Sequence, residues 1–170
     1  MSKAEIGKLQ KTFHSFGERI ERQVIQKQRE CAEICQQYVK ESAPIRTGRY
    51  VESIQVSDTT VNGGVIETKV YSALTVGGDN EKWKNVPLGC LLEWGTGIKG
   101  MATNQYNHGY SYRTTPWVYY DEYLEQWVTT SGIVARPHWY PASRRIVPVF
   151  KRKMREAVRQ SIKETFGWTR

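Results

Sequence analysis

The sequence predicts an α+β chain, and three patterns of apolar residues support this fold class. A helical pattern fills the first quarter, a β-rich run with turn residues occupies the middle, and a second helical pattern follows it. Apolar residues at three- and four-residue steps are typical of amphipathic helices, whereas strict alternation is typical of strands. No linker-like segment divides the 170 residues, so we expect a single domain over residues 1–170.

The first predicted element is a helix over about residues 3–43. Ser2 and Glu5 have the spacing of a capping box at its start. Pro44 disfavours helical backbone at Ala43 and therefore ends the helix. One apolar stripe runs along it, formed by Ile6, Leu9, Phe13, Phe16, Ile20, Val24, Cys31, Ile34, Cys35 and Tyr38.

The length of this helix is unusual for a small domain. Such a helix would be roughly 60 Å long, whereas a compact domain of this size has a radius of gyration of about 15 Å. Either the helix breaks, near Gly17 or at Lys27 and Gln28, or part of it projects and another subunit covers it. We favour projection for part of the length.

The middle, about residues 51–134, is expected to hold strands. Candidate strands are 53–57, then 65–72 after an Asn-Gly-Gly turn, and a hairpin of 117–120 with 126–130 across an acidic turn. Residues 97–116 are rich in Gly, Asn, Thr and Tyr and are long for a connection, so we expect a functional or mobile loop.

The last element is a predicted helix over about residues 142–166. Its apolar residues recur strictly at four-residue steps: Ile146, Phe150, Met154, Val158, Ile162 and Phe166. Such a row rotates by roughly 40° per step, so its two ends face different directions. We expect the first half to cover the sheet of its own domain and the second half to meet something else.

Charge is concentrated in this last helix. The net charge is +8, and residues from Pro141 onward carry nine Lys and Arg against two Glu. Such a density suits non-specific contact with DNA or with an acidic protein neighbour, although charge runs are usually only a solvated face. The residues expected to make DNA or subunit contacts are Arg144, Arg145, Lys151, Arg152, Arg155, Arg159 and Lys163.

Composition argues against several other classes of protein. No apolar run approaches the length of a membrane span, and Met1 to Glu5 lack the apolar core of a signal peptide, so we expect synthesis in the cytoplasm. Cys31 and Cys35 lie one helical turn apart but fall on the apolar stripe, which favours burial over metal binding. We expect no cofactor, no metal and no membrane contact.

Candidate catalytic groups are sparse. Residues 95–100 match the G-x-G-x-x-G pattern, but the following residues are not expected to continue a helix, so we interpret them as a glycine loop. Glu93 lies in an otherwise apolar run. It could act as a general base, or it could accept backbone N–H bonds from the glycine turn that follows it, and we favour the second. No nucleophile–base motif is recognisable, so we expect no enzyme.

Aromatic residues cluster between positions 106 and 127. We expect those that alternate in the 117–127 hairpin to lie in the core. Tyr106, Tyr110 and Tyr112 are instead expected to contact a partner and to become ordered on assembly.

Three motifs, taken in order, resemble the family of tailed-phage minor tail components that complete the head–tail joint. The first is Pro44, Thr47, Gly48, Ser53 and Ile54, with Tyr50 where an aliphatic residue is usual; the second is Glu93, Trp94, Gly95 and Thr96; the third is Ala135, Pro137, Trp139 or His138, and Ala142. Gly48 and Gly95 are further expected to need a positive φ.

This resemblance implies an α+β fold in which two helices pack on a small antiparallel sheet. It also implies a structural virion protein of a tailed phage or prophage, made in the host cytoplasm and placed in the neck or tail. A ring of subunits, expected to be hexameric, would lie between the head-side connector or head-closure protein and the tail-terminator or tail-tube protein. Passing double-stranded DNA would contact the basic helix. The alternative is a sequence-independent nucleic-acid-binding protein, and an enzyme using Glu93 is a third possibility.

Overall fold

The computed structural model describes residues 2–45, 48–76, 85–106, 111–121 and 124–168. Helices and groups of consecutive short strands both occur within these ranges, which confirms the α+β class. The helices are α1 (Lys3–Ser42), α2 (Arg49–Glu52), α3 (Leu88–Trp94), α4 (Gly97–Thr103) and α5 (Trp139–Phe166). The strands are β1 (Ile54–Val56), β2 (Thr60–Asn62), β3 (Val65–Glu67), β4 (Val70–Ser72), β5 (Thr75–Val76), β6 (Val86–Pro87), β7 (Trp117–Asp121) and β8 (Gln126–Thr130).

The described strands form four two-stranded sheets instead of one. The pairs are β1 with β4, β2 with β3, β5 with β6, and β7 with β8. The last three pairs are antiparallel. The strands are two to five residues long, so each pair has a short ladder. Isolated two-stranded ribbons are marginally stable, so these pairs depend on what packs against them.

Helix α1 begins and ends as the sequence predicts. The Ser2 N–H donates to Glu5 Oε2 at 2.6 Å, and the Glu5 N–H donates to Ser2 Oγ at 3.3 Å, which is a capping box. The helix runs unbroken from Lys3 to Ser42, so the expected alternative of a break at Gly17 or Lys27 is wrong. Cover by another subunit stays a prediction.

The contacts of the chain group into two compact units. The first consists of Met1–Gln37, Val56–Val70 and Ser143–Arg170, and the second of Tyr38–Gln55 and Tyr71–Ala142. The expectation of a single domain therefore remains a prediction, and each unit is described by itself.

In the first unit, α1 and α5 pack antiparallel. The Phe166 ring lies 6.2 Å from the Phe13 ring and 5.5 Å from the Phe16 ring, centroid to centroid. The Arg19 guanidinium donates to the Glu164 carbonyl at 2.7 Å. The second half of α5 was expected to meet something else. Its neighbour is the first helix of the same chain.

A charge cluster fastens these two helices near the middle of α5. Lys153 Nζ lies 2.6 Å from Glu30 Oε2, and Lys27 Nζ lies 3.0 Å from Glu30 Oε1. The hydrogen bond from Lys153 lowers the pKa of Glu30, and the same bond raises the pKa of Lys153. The charge of Lys153 therefore helps to hold α5 against α1.

The β2–β3 hairpin belongs to the same unit and confirms the predicted turn, but the predicted strand 65–72 is split into β3 and β4, which pair with different strands. Gly63 and Gly64 form its two-residue turn, with φ of 57° and 81°. The Gln28 side chain donates from Nε2 to the Ile66 carbonyl at 2.8 Å, which ties the hairpin to α1.

The second unit contains α2, α3, α4 and the β5–β6 and β7–β8 pairs. Two sequence expectations are corrected here. Residues 97–116 were expected to be a loop, but Gly97–Thr103 is helical, with the Gly100 N–H bonded to the Thr96 carbonyl at 2.9 Å. Helix α5 also begins three residues before the expected Ala142, because its first turn tolerates Pro141.

Candidate functional site: a buried network and two exposed surfaces

Glu93 is buried, with 2% of its surface exposed, and its carboxylate caps α5 from another part of the chain. Its Oε2 accepts the N–H groups of His138 at 2.6 Å and Trp139 at 2.9 Å, and its Oε1 accepts the Tyr140 N–H at 2.9 Å. The next residue is Pro141, which has no N–H. The N–H groups of residues 138–140 at the start of α5 are therefore bonded to Glu93, and the next position has no N–H that needs an acceptor.

This contact corrects the sequence interpretation of Glu93. Acceptance of backbone N–H bonds was expected, but from the glycine turn after Glu93; the donors lie instead at 138–140. Sequence spacing gave no signal for this, because the partners are 45 to 47 residues apart. A helix N-terminus carries partial positive charge and unpaired N–H groups, so it stabilises a buried carboxylate.

His138 is fully buried beside Glu93 and takes part in a second set of bonds. Its Nδ1 lies 2.8 Å from the Arg136 carbonyl and 3.2 Å from Glu93 Oε2. A carbonyl can only accept, so Nδ1 carries the proton. Desolvation lowers the pKa of His138, although the Arg136 carbonyl and Glu93 oppose this. His138 is therefore neutral, and Nε2 is free to accept.

Tyr50 completes the network. Its hydroxyl lies 2.6 Å from His138 Nε2 and accepts the indole N–H of Trp139 at 2.8 Å. With His138 neutral, Tyr50 donates to Nε2. Burial raises the pKa of Tyr50 to about 12, against a lowering by the Trp139 hydrogen bond. The first motif usually has an aliphatic residue where this chain has Tyr50. The Tyr50 hydroxyl has polar partners at the start of α5.

Two glycines are required next to this network, for different reasons. Gly95 has φ of 70°, and a Cβ there would lie 2.6 Å from both the Gly100 Cα and the Ile133 carbonyl oxygen. At Gly89 a Cβ would lie 2.8 Å from the Tyr50 hydroxyl and 3.2 Å from the Trp139 indole nitrogen. The positive φ expected at Gly48 is confirmed at 78°, but a Cβ there meets only the Glu52 carboxylate, at 3.7 Å.

The three sequence motifs meet around the start of α5. Tyr50 comes from the first, Glu93 from the second, and His138 and Trp139 from the third. Thr96 bonds to Ile133 through both its backbone and its hydroxyl. Ser53 donates to the Tyr50 carbonyl, Ile54, Ala135 and Ala142 are buried, Pro44, Trp94 and Pro137 are half-buried, and Thr47 lies outside the described residues.

The network is closed to solvent. Glu93 and His138 are 2% and 0% exposed, and all the bonds described above end on groups of the same unit. A general base must reach a proton of its substrate, so this arrangement does not suit Glu93 to catalysis. What it can do is hold three distant segments in one fixed geometry.

The cysteines of α1 lie among apolar groups. Cys31 is buried, Cys35 is half-buried, and desolvation raises the pKa of both thiols. Within the described ranges, no group of three or more His, Cys, Asp and Glu side chains is placed to hold a metal ion. In those same ranges, no helix has the length and apolar character to cross a membrane.

The hairpin aromatics differ in part from the sequence prediction, since Trp117 is half-buried against Gly97 and others are exposed. The hairpin aromatics were expected in the core, yet Tyr119, Tyr120 and Trp127 are exposed, Trp127 at 71%. The reason is that β7 and β8 pair only with each other, so one face of the ribbon stays open. That face carries Val118, Tyr120 and Trp127, and the last two pack edge to face at 5.6 Å.

Two of the three tyrosines expected to contact a partner, Tyr106 and Tyr112, have contacts within the chain. Tyr112 donates to the Trp94 carbonyl at 3.0 Å and accepts a short hydrogen bond from Asn104. Tyr106 is half-buried and stacks on Tyr140 at 4.4 Å. Tyr110 lies outside the described residues. A partner contact at Tyr106, Tyr110 and Tyr112 remains untested.

The cations of α5 form one face. At 100° per residue, the seven predicted contact residues fall within an arc of roughly 120°, opposite the buried Ala157. All seven are exposed: Arg144, Arg145, Lys151, Arg152, Arg155, Arg159 and Lys163. Arg152 also lies 3.8 Å from Glu156. We call these seven residues the basic face.

A groove of about 590 Å³ opens in the second unit. Its floor and walls include Ile45, Leu74, Leu88, Leu92, Ile133 and Val134, and its rim carries Arg49, Lys99 and Arg136. The three cations are exposed. We call this feature the cation-rimmed groove. Sequence reasoning missed it, because its residues come from five separate segments.

Comparison with known proteins shows a similarity between part of this chain and a family of phage tail components. Residues 7–87, slightly less than half of the chain, match a family described as "Bacteriophage HK97-gp10, putative tail-component". Neither the curated proteins nor the solved structures include a significant match. The matched range covers most of α1 and the first of the three motifs, and it agrees with the resemblance drawn from the sequence. Over residues 7–87, the chain is therefore similar to a phage tail component.

Proposed function

We propose that this chain is a ring subunit that completes the tail or the head–tail junction of a tailed phage or prophage. The observation that carries the proposal is the match of residues 7–87 to a phage tail-component family. The geometry supports it. The buried polar groups serve to fix segments of the chain, whereas apolar and charged surfaces remain exposed, as a protein that works through contacts requires.

The proposed location is the neck of the virion, after synthesis in the host bacterial cytoplasm. The partners would be copies of the chain in a hexameric ring, a connector or head-closure protein on one side, and a tail-terminator or tail-tube protein on the other. The proposal includes no enzymatic activity and no cofactor.

Gene deletion in the phage or prophage that carries this chain tests the proposal. We expect filled heads and separate tails by electron microscopy, and joined, infectious particles once the wild-type chain is supplied from a plasmid. Mass spectrometry of purified particles should detect the complementing chain. Infectious particles of normal yield without the chain would contradict the proposal.

The basic face supports a second candidate function, sequence-independent binding of double-stranded DNA. Its seven exposed cations share one helix face, and neutralising phosphates releases counterions, so affinity should fall steeply with salt. Within the ring proposal the same face would border the DNA channel.

Charge reversal separates these two functions. Arg152→Glu with Arg155→Glu should leave the fold intact, because both side chains are exposed. Lys3→Glu with Lys8→Glu on α1 is the control with the same change of net charge. A DNA-binding protein should lose affinity only in the first variant. Normal infectivity and unchanged DNA affinity in that variant would remove both roles from the basic face.

A further inference from the structure

We infer that the β7–β8 hairpin of one subunit docks into the cation-rimmed groove of a second copy of this chain. This contact rests on the proposed ring function and specifies which two surfaces form the ring interface. Both surfaces belong to the second unit, so each is described within one compact body.

The hairpin offers an acidic and apolar surface. Leu124 and Trp127 are 50% and 71% exposed, and Val118 and Tyr120 extend the same apolar surface. Glu125 is exposed beside Leu124 and Trp127, and residues 118–127 include no Lys or Arg. Asp121 lies on the opposite face of the ribbon, where its carboxylate accepts hydrogen bonds from the Tyr119 hydroxyl and the Leu124 N–H. We call Leu124, Glu125 and Trp127 the hairpin tip.

The groove offers the complementary surface. Its apolar lining includes Ile133 and Val134, which are 42% and 39% exposed, and Ile45, which is 76% exposed. Arg49, Lys99 and Arg136 on the rim form no ion pair with the carboxylates of the described residues. A groove of this volume lies within the range of about 300–1,000 Å³ that accommodates groups as large as several side chains.

Charge sets the geometry of the contact. Two hairpin tips would repel each other, and so would two groove rims, which disfavours a two-fold contact between identical surfaces. A tip and a groove attract, and they are different surfaces of one chain. Contacts between different surfaces are head to tail, and they close into a ring when the rotation between neighbours allows it.

The open face of the ribbon also favours cover by a partner. The β7 and β8 strands pair with no third described strand, and a two-stranded ribbon is marginal alone in water. Trp, Tyr and Arg are enriched among the residues that contribute most to the binding energy of protein interfaces, and Trp127, Tyr120 and the groove's Arg49 are of these types.

A mixing experiment with two full-length variants tests the contact. Trp127→Ala removes the tip and leaves the groove, whereas Ile133→Ser removes the groove lining and leaves the tip. Trp168→Ala is the matched control, since Trp168 is an equally exposed Trp, at 77%, in the first unit. Far-ultraviolet circular dichroism and thermal melting first establish that each variant folds.

Sedimentation velocity and native mass spectrometry then measure the assemblies. We expect wild type and Trp168→Ala to form rings, and each test variant alone to self-associate at least tenfold more weakly. Mixed in equal amounts, the two variants should give one-to-one heterodimers that go no further, because each pair retains only one intact contact.

Three outcomes would overturn the contact. They are rings that neither variant weakens, variants that remain monomeric when mixed, and a wild-type chain that stays monomeric at every concentration. The gene-deletion experiment does not depend on self-association of the free chain. Unjoined heads and tails in that experiment, together with any of these outcomes, would retain the proposed function and reject the hairpin contact alone.

Discussion

Glu93 Oε2 lies 2.6 Å from the backbone nitrogen of His138, although the two residues are 45 positions apart in the sequence. This bond joins α3 to the start of α5, and two further N–H groups reach the same carboxylate. Glu93, which resembles a candidate catalytic acid in the sequence, therefore caps a helix that begins more than 40 residues later in the chain. Its removal should affect folding before anything else.

Glu93→Gln should reduce the free energy of unfolding by about 3 kcal/mol. The amide keeps the shape but loses the charge, and its NH₂ group would face backbone donors in a buried site. Chemical denaturation measures the loss. Glu33→Gln is the control, because Glu33 pairs with Arg29 at 57% exposure and such surface pairs contribute little. Equal stability of Glu93→Gln and wild type would contradict the cap.

Gly95→Ala should be far more destabilising than Gly48→Ala, although both positions have positive φ. Each substitution incurs backbone strain on the order of 1–3 kcal/mol, and Gly95, with ψ of −178°, lies in a region that is essentially limited to Gly. Only at Gly95 does the new Cβ also meet backbone atoms, at 2.6 Å, and backbone cannot move aside as a flexible side chain can. We expect Gly48→Ala to fold. Gly95→Ala should be largely insoluble, or its melting temperature should be well below that of Gly48→Ala. Similar melting temperatures would contradict the packing at Gly95.

Gly89→Ala and Gly17→Ala should shift stability in opposite directions. At Gly89 the methyl group would separate Tyr50 from Trp139 and break their hydrogen bond, whereas at Gly17 no atom lies within 4 Å. Gly17 lies inside α1, where Ala is favoured over Gly by about 1 kcal/mol. Thermal melting of both variants provides the comparison. An increase in the melting temperature of Gly89→Ala would contradict the close packing of Gly89 against Tyr50 and Trp139.

The lowered pKa of His138 predicts a loss of stability in mild acid. In the pH range between its lowered folded-state pKa and the ordinary value of 6.5, the unfolded chain binds more protons. The free energy of unfolding should therefore rise with pH in that window and fall as pH drops below about 6.5, by at most ~1.4 kcal/mol per pH unit.

Denaturation at a series of pH values from about 5 to about 7 measures this slope. His138→Gln should be less stable overall but should show a flatter slope, since no imidazole remains to bind the proton. His14→Gln is the control variant, because the His14 side chain is exposed on α1. The same slope in the His138 variant as in wild type would assign the pH dependence to other groups.

Local patterns in the sequence were sufficient to predict the structural elements that depend on residues close together in the chain. The capping box at Ser2, the stop before Pro44, the Gly63–Gly64 turn and the β7–β8 hairpin all depend on residues a few positions apart, and all were predicted correctly. The positive φ at Gly48 and Gly95 follows from the same local rules. Helices α3 and α4 were missed because they are short and poor in periodic apolar residues.

The tertiary structure decided which residues the chain uses internally and which it leaves exposed. Lys153 resembles the other cations of α5 in the sequence, but Glu30 lies within 2.6 Å of it. Trp127 alternates as a core residue would, yet no third described strand covers it. Burial and partner choice depend on contacts between distant segments, and residue periodicity carries no information about those distances. The buried network, in which the three motifs meet, and the groove both form only through that long-range packing.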